Sequence, residues 1–185
     1  LPLAKRKFLS SWYGRLMDKK RSTNKIDGFV KGLNINMDEA EKTTENYTSF
    51  NDFFYRKLKS TARPIESGLV SPGDGKMLAF KKTTDIHHFF VKGREFTLSE
   101  FLGDTKIAER YKNSSLVILR LAPNDYHRFH FPYNGTPSEV TKIKGHYFSV
   151  SPYALASNFT KVFCENKREF CTFNTKDKGE MIIAP

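Results

Sequence analysis

Two stretches of this sequence hold side chains able to move protons. In Ala122-Pro123-Asn124-Asp125-Tyr126-His127-Arg128-Phe129-His130-Phe131-Pro132, two histidines three apart sit among aromatic residues. An imidazole titrates at ~6.5 when unperturbed, so in a partly desolvated pocket it suits proton transfer near neutrality. The second stretch, Ser71-Pro72-Gly73-Asp74-Gly75, carries an aspartate on a turn-forming run. Taken alone, Asp74 reads first as a turn former, because Asp-Gly is a common hairpin signal. An Asp and a His together, however, are two thirds of an arrangement that activates a nucleophile. The histidines also fit a hydrogen-bonded core pair or half of a metal site. For a metal the remaining ligands are missing, since His87, His88 and His146 share no ligand spacing with them. Cys164 and Cys171 lack a CxxC spacing and read as two thiols in a reducing compartment.

The elements that must carry these loops fall into two textures. The first third reads helical: Phe8, Leu9, Trp12, Tyr13 and Leu16 form one apolar face, and Ile26, Phe29, Val30 and Leu33 form a second. Ser49-Phe50-Asn51-Asp52 is a capping-box-like start for a helix bearing Phe50, Phe53, Phe54 and Leu58. From Leu69 onward short strands are expected near 76–80, 88–92, 115–122, 138–144, 168–173 and 180–184. A short helix begins at Thr97, capped with Glu100, and stops at Gly103; another opens at Ser151-Pro152. The expected class is α+β, with helices in front (1–62) and an antiparallel β-rich core behind (63–185). The loop holding His127 and His130 follows the most apolar strand, which would hold it rigidly.

The 185 residues suit one domain or a domain with an appendage, and 14% aromatics exclude a generically disordered chain. No apolar run approaches the ~20 residues that cross a bilayer, and Lys5-Arg6-Lys7 is not followed by the apolar stretch of a secretory signal. The net charge is +11, and it is uneven: between Lys5 and Lys25 there are eight Lys or Arg and one acid, Asp18. A basic amphipathic helix bearing Trp and Phe can lie on an anionic membrane. It can equally pack its stripe on a core and leave its lysines solvated. Nucleic acid is a third option, but no recognisable nucleic-acid motif supports it.

Read together, Arg63-Pro64-Ile65, Ser71-Pro72-Gly73-Asp74-Gly75 and the long 121–132 string resemble the phosphatidylserine decarboxylase family. Phe50-Asn51-Asp52-Phe53-Phe54-Tyr55-Arg56-Lys57-Leu58, Gly145-His146-Tyr147-Phe148-Ser149-Val150 and Asn166-Lys167-Arg168 match further family segments in the same order. The resemblance implies a self-cleaving precursor whose α chain begins with a pyruvoyl group made from a serine. That group would form a Schiff base with phosphatidylserine and act as the electron sink while CO2 leaves, giving phosphatidylethanolamine. Carried over by position, Asp74 and His130 act with the serine in self-cleavage. His127 protonates the decarboxylated carbon or holds the substrate carboxylate, and Tyr126, Phe129 and Phe131 shape the pocket or meet lipid.

The resemblance further implies a core like a barrel-sandwich hybrid, incomplete at its C-terminal end in this chain, and a homodimer of αβ units. It favours the membrane reading of the basic helix, because each Lys or Arg near an anionic surface contributes ~1 kcal/mol. The expected location is peripheral, on the cytoplasmic face of a bacterial membrane ahead of an organelle membrane. One departure stands out: no serine here matches the pyruvoyl-forming one, so this chain is expected to be a β-chain segment, inactive alone. Two other readings compete. One is a non-enzymatic module that binds anionic lipid; the other is a hydrolase using Ser149 or Ser151, neither of which sits on a Gly-x-Ser-x-Gly elbow.

Overall fold

A computed structural model of the chain describes residues 7–88, 97–148, 162 and 164–185. It is a mixture of short helices and antiparallel sheet, as expected for α+β, and divides into two compact units.

One unit comprises residues 8–76 and 119–134. Its helices are α1 (Lys7–Met17), α2 (Ile26–Leu33) and α3 (Phe50–Phe54), joined through short 3-10 turns. Ile26, Ile35, Tyr47 and Phe53 form its core, with Phe29, Val30, Met37 and Phe50 packed around them. The α2 stripe supplies this core from its first turns, whereas Leu33 at its end is 37% exposed. Asn34 then ends α2 in the left-handed conformation at φ 51°, which Asn tolerates better than most residues. Aromatic rings meet edge-on: Phe29 with Phe50 at 5.1 Å between centroids, Tyr47 with Phe53 at 5.5 Å. Ser22 is buried because its hydroxyl is engaged on both sides. It lies 2.9 Å from the Met17 carbonyl at the end of α1 and accepts from the Phe50 N–H at 2.8 Å where α3 begins.

The start of α3 is the cap read from sequence: the Ser49 side chain accepts from the Asp52 N–H. The helix is shorter than the apolar pattern implied. It ends at Phe54, and Leu58 falls instead in an isolated bridge with Ala40.

The other unit is drawn from the described residues within 77–118 and 135–185. Strand β1 (Lys76–Phe80) pairs with β2 (Leu116–Arg120) in a two-stranded sheet. A second sheet is built on β5 (Arg168–Thr175), which pairs antiparallel with β3 (Gly135–Pro137), β4 (Thr141–Ile143) and β6 (Glu180–Ile183). The strand expected at 138–144 is confined to Thr141–Ile143, with a separate piece at Gly135–Pro137 ahead of it, and the register shows why the two are not continuous. Between the pairs Pro137↔Phe173 and Thr141↔Phe170 this side advances four residues while β5 advances three. The one-residue excess is a β-bulge following Pro137, a residue with no N–H to donate. Ser138 spans the break, its N–H on the Thr172 carbonyl at 2.8 Å and its hydroxyl accepting from the Thr172 N–H at 3.1 Å.

Helices α4 (Leu98–Leu102) and α5 (Thr105–Tyr111) place Leu102 and Ala108 in one cluster with Phe170. The Thr97 cap and the Gly103 stop stand where the sequence put them, with Gly103 at φ 65°. Helix α5 is an addition to the sequence-based expectation. It starts at once on its own cap, Asp104, accepting from the Ile107 N–H at 3.0 Å. Of the segment expected as a strand at 88–92, only His88 is described, as the last residue of a 3-10 turn (Thr83–His88). The helix expected at Ser151-Pro152, and Ser149 and Ser151 themselves, also lie outside them.

Candidate functional site

Both loops singled out by their chemistry belong to the helical unit, and the backbone ties them together. The Val70 N–H donates to the Pro132 carbonyl and the His130 N–H donates to the Pro72 carbonyl, each at 2.9 Å. At the far end of the turn a glycine lets the chain pass against the end of β2. Gly75 sits at φ 142°, and a Cβ there would lie 2.8 Å from the Arg120 carbonyl oxygen. Within the histidine loop Asp125 acts locally. Its carboxylate accepts from the Ala122 N–H at 2.6 Å and closes a tight turn.

These ties place Asp74, His130 and Tyr126 on the wall of one cavity of about 250 Å³, with Arg63 and Ser71 beside them. The Asp74 carboxylate is held from the Arg63 side. Arg63 Nε lies 3.0 and 3.1 Å from the two oxygens and Nη2 lies 2.8 Å from Oδ2, while Nη1 reaches Glu39 at 3.0 Å. Hydrogen bonding to Asp74 and its charge push the guanidinium further toward the protonated form. A carboxylate has about four lone-pair sites, so this fork leaves acceptor capacity toward the cavity. The His130 imidazole makes no side-chain hydrogen bond among the described residues, so its ring nitrogens are available there.

His127 is placed differently. Its ring stacks on Phe54, centroids 4.1 Å apart and planes 24° from parallel, and does not line the cavity of Asp74 and His130. Its Nε2 is buried with no hydrogen-bond partner. The backbone at Pro123 and Ala122 pulls the ring toward its protonated form, and Nε2 is its unpartnered nitrogen. Burial first, and the Arg56 charge second, push His127 below the ordinary histidine value, against the opposing pull of that backbone and Asp125. The ring is therefore neutral at pH 7 and able to accept a proton at Nε2. Phe129 and Phe131 are 53% and 39% exposed and lie outside the lining of the cavity.

Three residues of this neighbourhood are not singled out by sequence reasoning. Arg63 appears there only as part of a motif, eleven residues before the carboxylate it holds. Phe54 falls on an apolar helix face, although its ring is what supports His127. Arg56 looks like an ordinary helix-end charge, yet it is 4% exposed and donates from Nη2 to the carbonyls of Asn124 and Asp125 at 3.0 and 3.3 Å.

Two loops clasped through their backbones, an aspartate held by an arginine and two histidines with unused nitrogens make a candidate acid–base site in an α+β protein. Comparison with known proteins narrows the class: the chain belongs to the phosphatidylserine decarboxylase family, whose profile matches residues 50–185. It is 51% identical over 184 residues to the phosphatidylserine decarboxylase proenzyme of Fusobacterium nucleatum, covering 98% of this chain and 61% of that protein. Against the proenzyme of Clostridium botulinum strain Alaska E43 it is 46% identical over 183 residues, covering 97% of this chain and 62% of the relative. The chain thus spans about three fifths of the length of these curated relatives.

Proposed function

We propose that this chain is the β part of a phosphatidylserine decarboxylase that converts phosphatidylserine to phosphatidylethanolamine and CO2 in phospholipid synthesis. The observation that carries the reading is that Asp74 and His130, 56 residues apart, line one cavity in a chain of this family. In self-cleavage His130 takes the proton of the attacking serine hydroxyl, and Asp74 holds the imidazole in the correct tautomer and stabilises the imidazolium.

The residues present fit a pyruvoyl group on the partner α chain: an open imidazole on the cavity wall and a buried, unpartnered Nε2 both suit chemistry at an amine and a carbonyl. When bound, that group supplies the sink for the electrons left as CO2 departs. The work of this chain is proton handling. The substrate ammonium must shed a proton to become nucleophilic, and neutral His127 accepts it at Nε2. The Cα–carboxylate bond breaks, CO2 leaves, and the proton on Nε2 passes to Cα. The product amine regains its proton from solvent. Tyr126 borders the cavity, and exposed Phe129 and Phe131 meet lipid.

Trp12 and Tyr13, 54% and 56% exposed on the basic helix α1, support peripheral attachment to an anionic membrane, on the cytoplasmic face in a bacterium. Among the described residues no helix is long and apolar enough to cross a membrane. The same reading includes a homodimer of αβ units and a β core completed, with the α chain, into a barrel-sandwich-like form.

The test uses the full natural precursor. His130→Ala stays uncut on a denaturing gel, whereas His127→Ala is cut yet releases no CO2 from phosphatidylserine vesicles. Normal cutting of the first variant, or normal CO2 release by the second, contradicts the assignment. Trp12→Ala with Tyr13→Ala weakens sedimentation with anionic vesicles at low salt; unchanged sedimentation contradicts the membrane role of α1.

A further inference from the structure

Arg56 is a guanidinium in an uncommon position. It follows α3 directly, its N–H bonded to the Phe53 carbonyl at 2.9 Å, and its side chain is 4% exposed. Burying a charge costs several kcal/mol per ion unless it is paired. Yet no carboxylate lies within ion-pair distance of Arg56 among the described residues, and its Nε and Nη1 have no partner. Only Nη2 is used, on the backbone carbonyls of Asn124 and Asp125, just ahead of His127. A second strap runs the other way, with Arg128 Nε donating to the Tyr55 carbonyl at 2.8 Å. The end of α3 therefore grips the histidine loop on both sides of His127 while Phe54 supports its ring. The guanidinium also lies over the Phe53 ring, 5.4 Å from its centroid, so the buried charge is packed on the core of the helical unit while Nη2 reaches the histidine loop.

We propose that Arg56 is a positioning residue for His127: it fixes the loop through the Asn124 and Asp125 carbonyls, and its charge adds to burial in disfavouring a second positive charge on the imidazole. The proposal rests on the reading of His127 given above. The groups facing His127 are Arg56 and Phe54 from the α3 side and, on its own loop, Asp125 and the backbone of Ala122 and Pro123. Arg56 in turn is faced by Tyr47, Asp74, Glu39 and Arg63, and the two carboxylates among these are already engaged by Arg63. Asp125 opposes Arg56 at the ring, with the smaller effect of the two. The Arg56 field on the ring is therefore only partly offset.

The experiment compares Arg56, Arg56→Lys and Arg56→Gln in the full-length protein by two readouts. The first is the NMR titration of His127 in the uncut Asp74→Asn precursor, assigned by comparison with the His127→Ala spectrum. Arg56→Gln moves that titration to higher pH by roughly half a unit or more, since a nearby like charge is lost, and Arg56→Lys moves it less. The second is the pH dependence of CO2 release by processed enzyme. Its acid limb moves to higher pH in Arg56→Gln, and kcat falls in both variants because a Lys ammonium ends one bond short of the Nη2 position, and a Gln amide ends shorter still, so neither reaches the two carbonyls. If Arg56→Gln does not fold, Arg56→Lys still reports: an unchanged kcat overturns the positioning role. A His127 titration identical in all three proteins overturns the electrostatic role. If the wild-type protein released no CO2 while the titration still moved, the decarboxylase reading would fail and the Arg56 effect on His127 would stand.

Discussion

Replacing Asp74 by Asn separates the structural role of this carboxylate from its chemical one. In the folded chain Asp74 receives three N–H contacts at 2.8–3.1 Å from Arg63. The side chains are 25% and 41% exposed respectively, so solvent screens the pair heavily. Its net contribution to stability is about 1 kcal/mol, the upper end for a well-forked surface pair. Asn keeps one acceptor oxygen, so the variant melts no more than roughly 4 °C below wild type. Its effect on self-cleavage is of another order. An aspartate that fixes a catalytic imidazole is worth ~10⁴ in rate, the figure known for serine proteases, or about 5 kcal/mol of barrier. The assay is the appearance of the α and β chains on a denaturing gel over time, with thermal melting run beside it. A fully folded variant cutting within tenfold of the wild-type rate refutes the reasoning, because Asp74 would then be a turn former held by an ion pair and nothing more.

Two further outcomes test the frame around the site. Phe53 is fully buried among Phe29, Tyr47 and Phe50, so Phe53→Ala costs about 3–5 kcal/mol, read as a lower urea midpoint; a loss under 1 kcal/mol contradicts the core assignment. Tyr111 is pushed up to about 12 by burial and by its hydrogen bond to Glu180. A phenol whose folded pKa exceeds its unfolded value near 10 adds stability that is complete below pH 10 and lost as pH rises through 12. Burial raises Tyr47 as well, so ultraviolet titration shows a late phase to which both tyrosines contribute, and Glu180→Gln moves the Tyr111 part of it earlier; a late phase unchanged in Glu180→Gln contradicts the contact.

The parts of this molecule visible in the sequence are those governed by local rules. The Ser49 and Thr97 caps, the Gly103 stop and the strands β1, β2, β5 and β6 depend on residues within a few positions of one another. Helix α5 escapes such rules because it follows Gly103 with only Asp104 between, so its cap reads as part of the preceding stop. The bulge after Pro137 depends on pairing with a distant β5, which periodicity does not contain. The site divides in the same way. Asp74, His127 and His130 declare themselves by residue type and by the resemblance of their motifs. What holds them does not: the Arg63 fork closes across a turn, and Arg56 reaches carbonyls 68 and 69 residues on. An arginine at a helix end usually stays solvated, and only the fold shows this one to be buried.

The central claim is that Asp74 and His130 act as one unit on a hydroxyl, and a double-substitution cycle on the full precursor measures it. Self-cleavage is timed for Asp74→Asn, His130→Gln and the pair together. The account predicts that the double variant is no slower than the slower single one, because removing either member already disables the unit. If instead the two losses multiply, the residues work independently, and the shared cavity is not where the serine is activated.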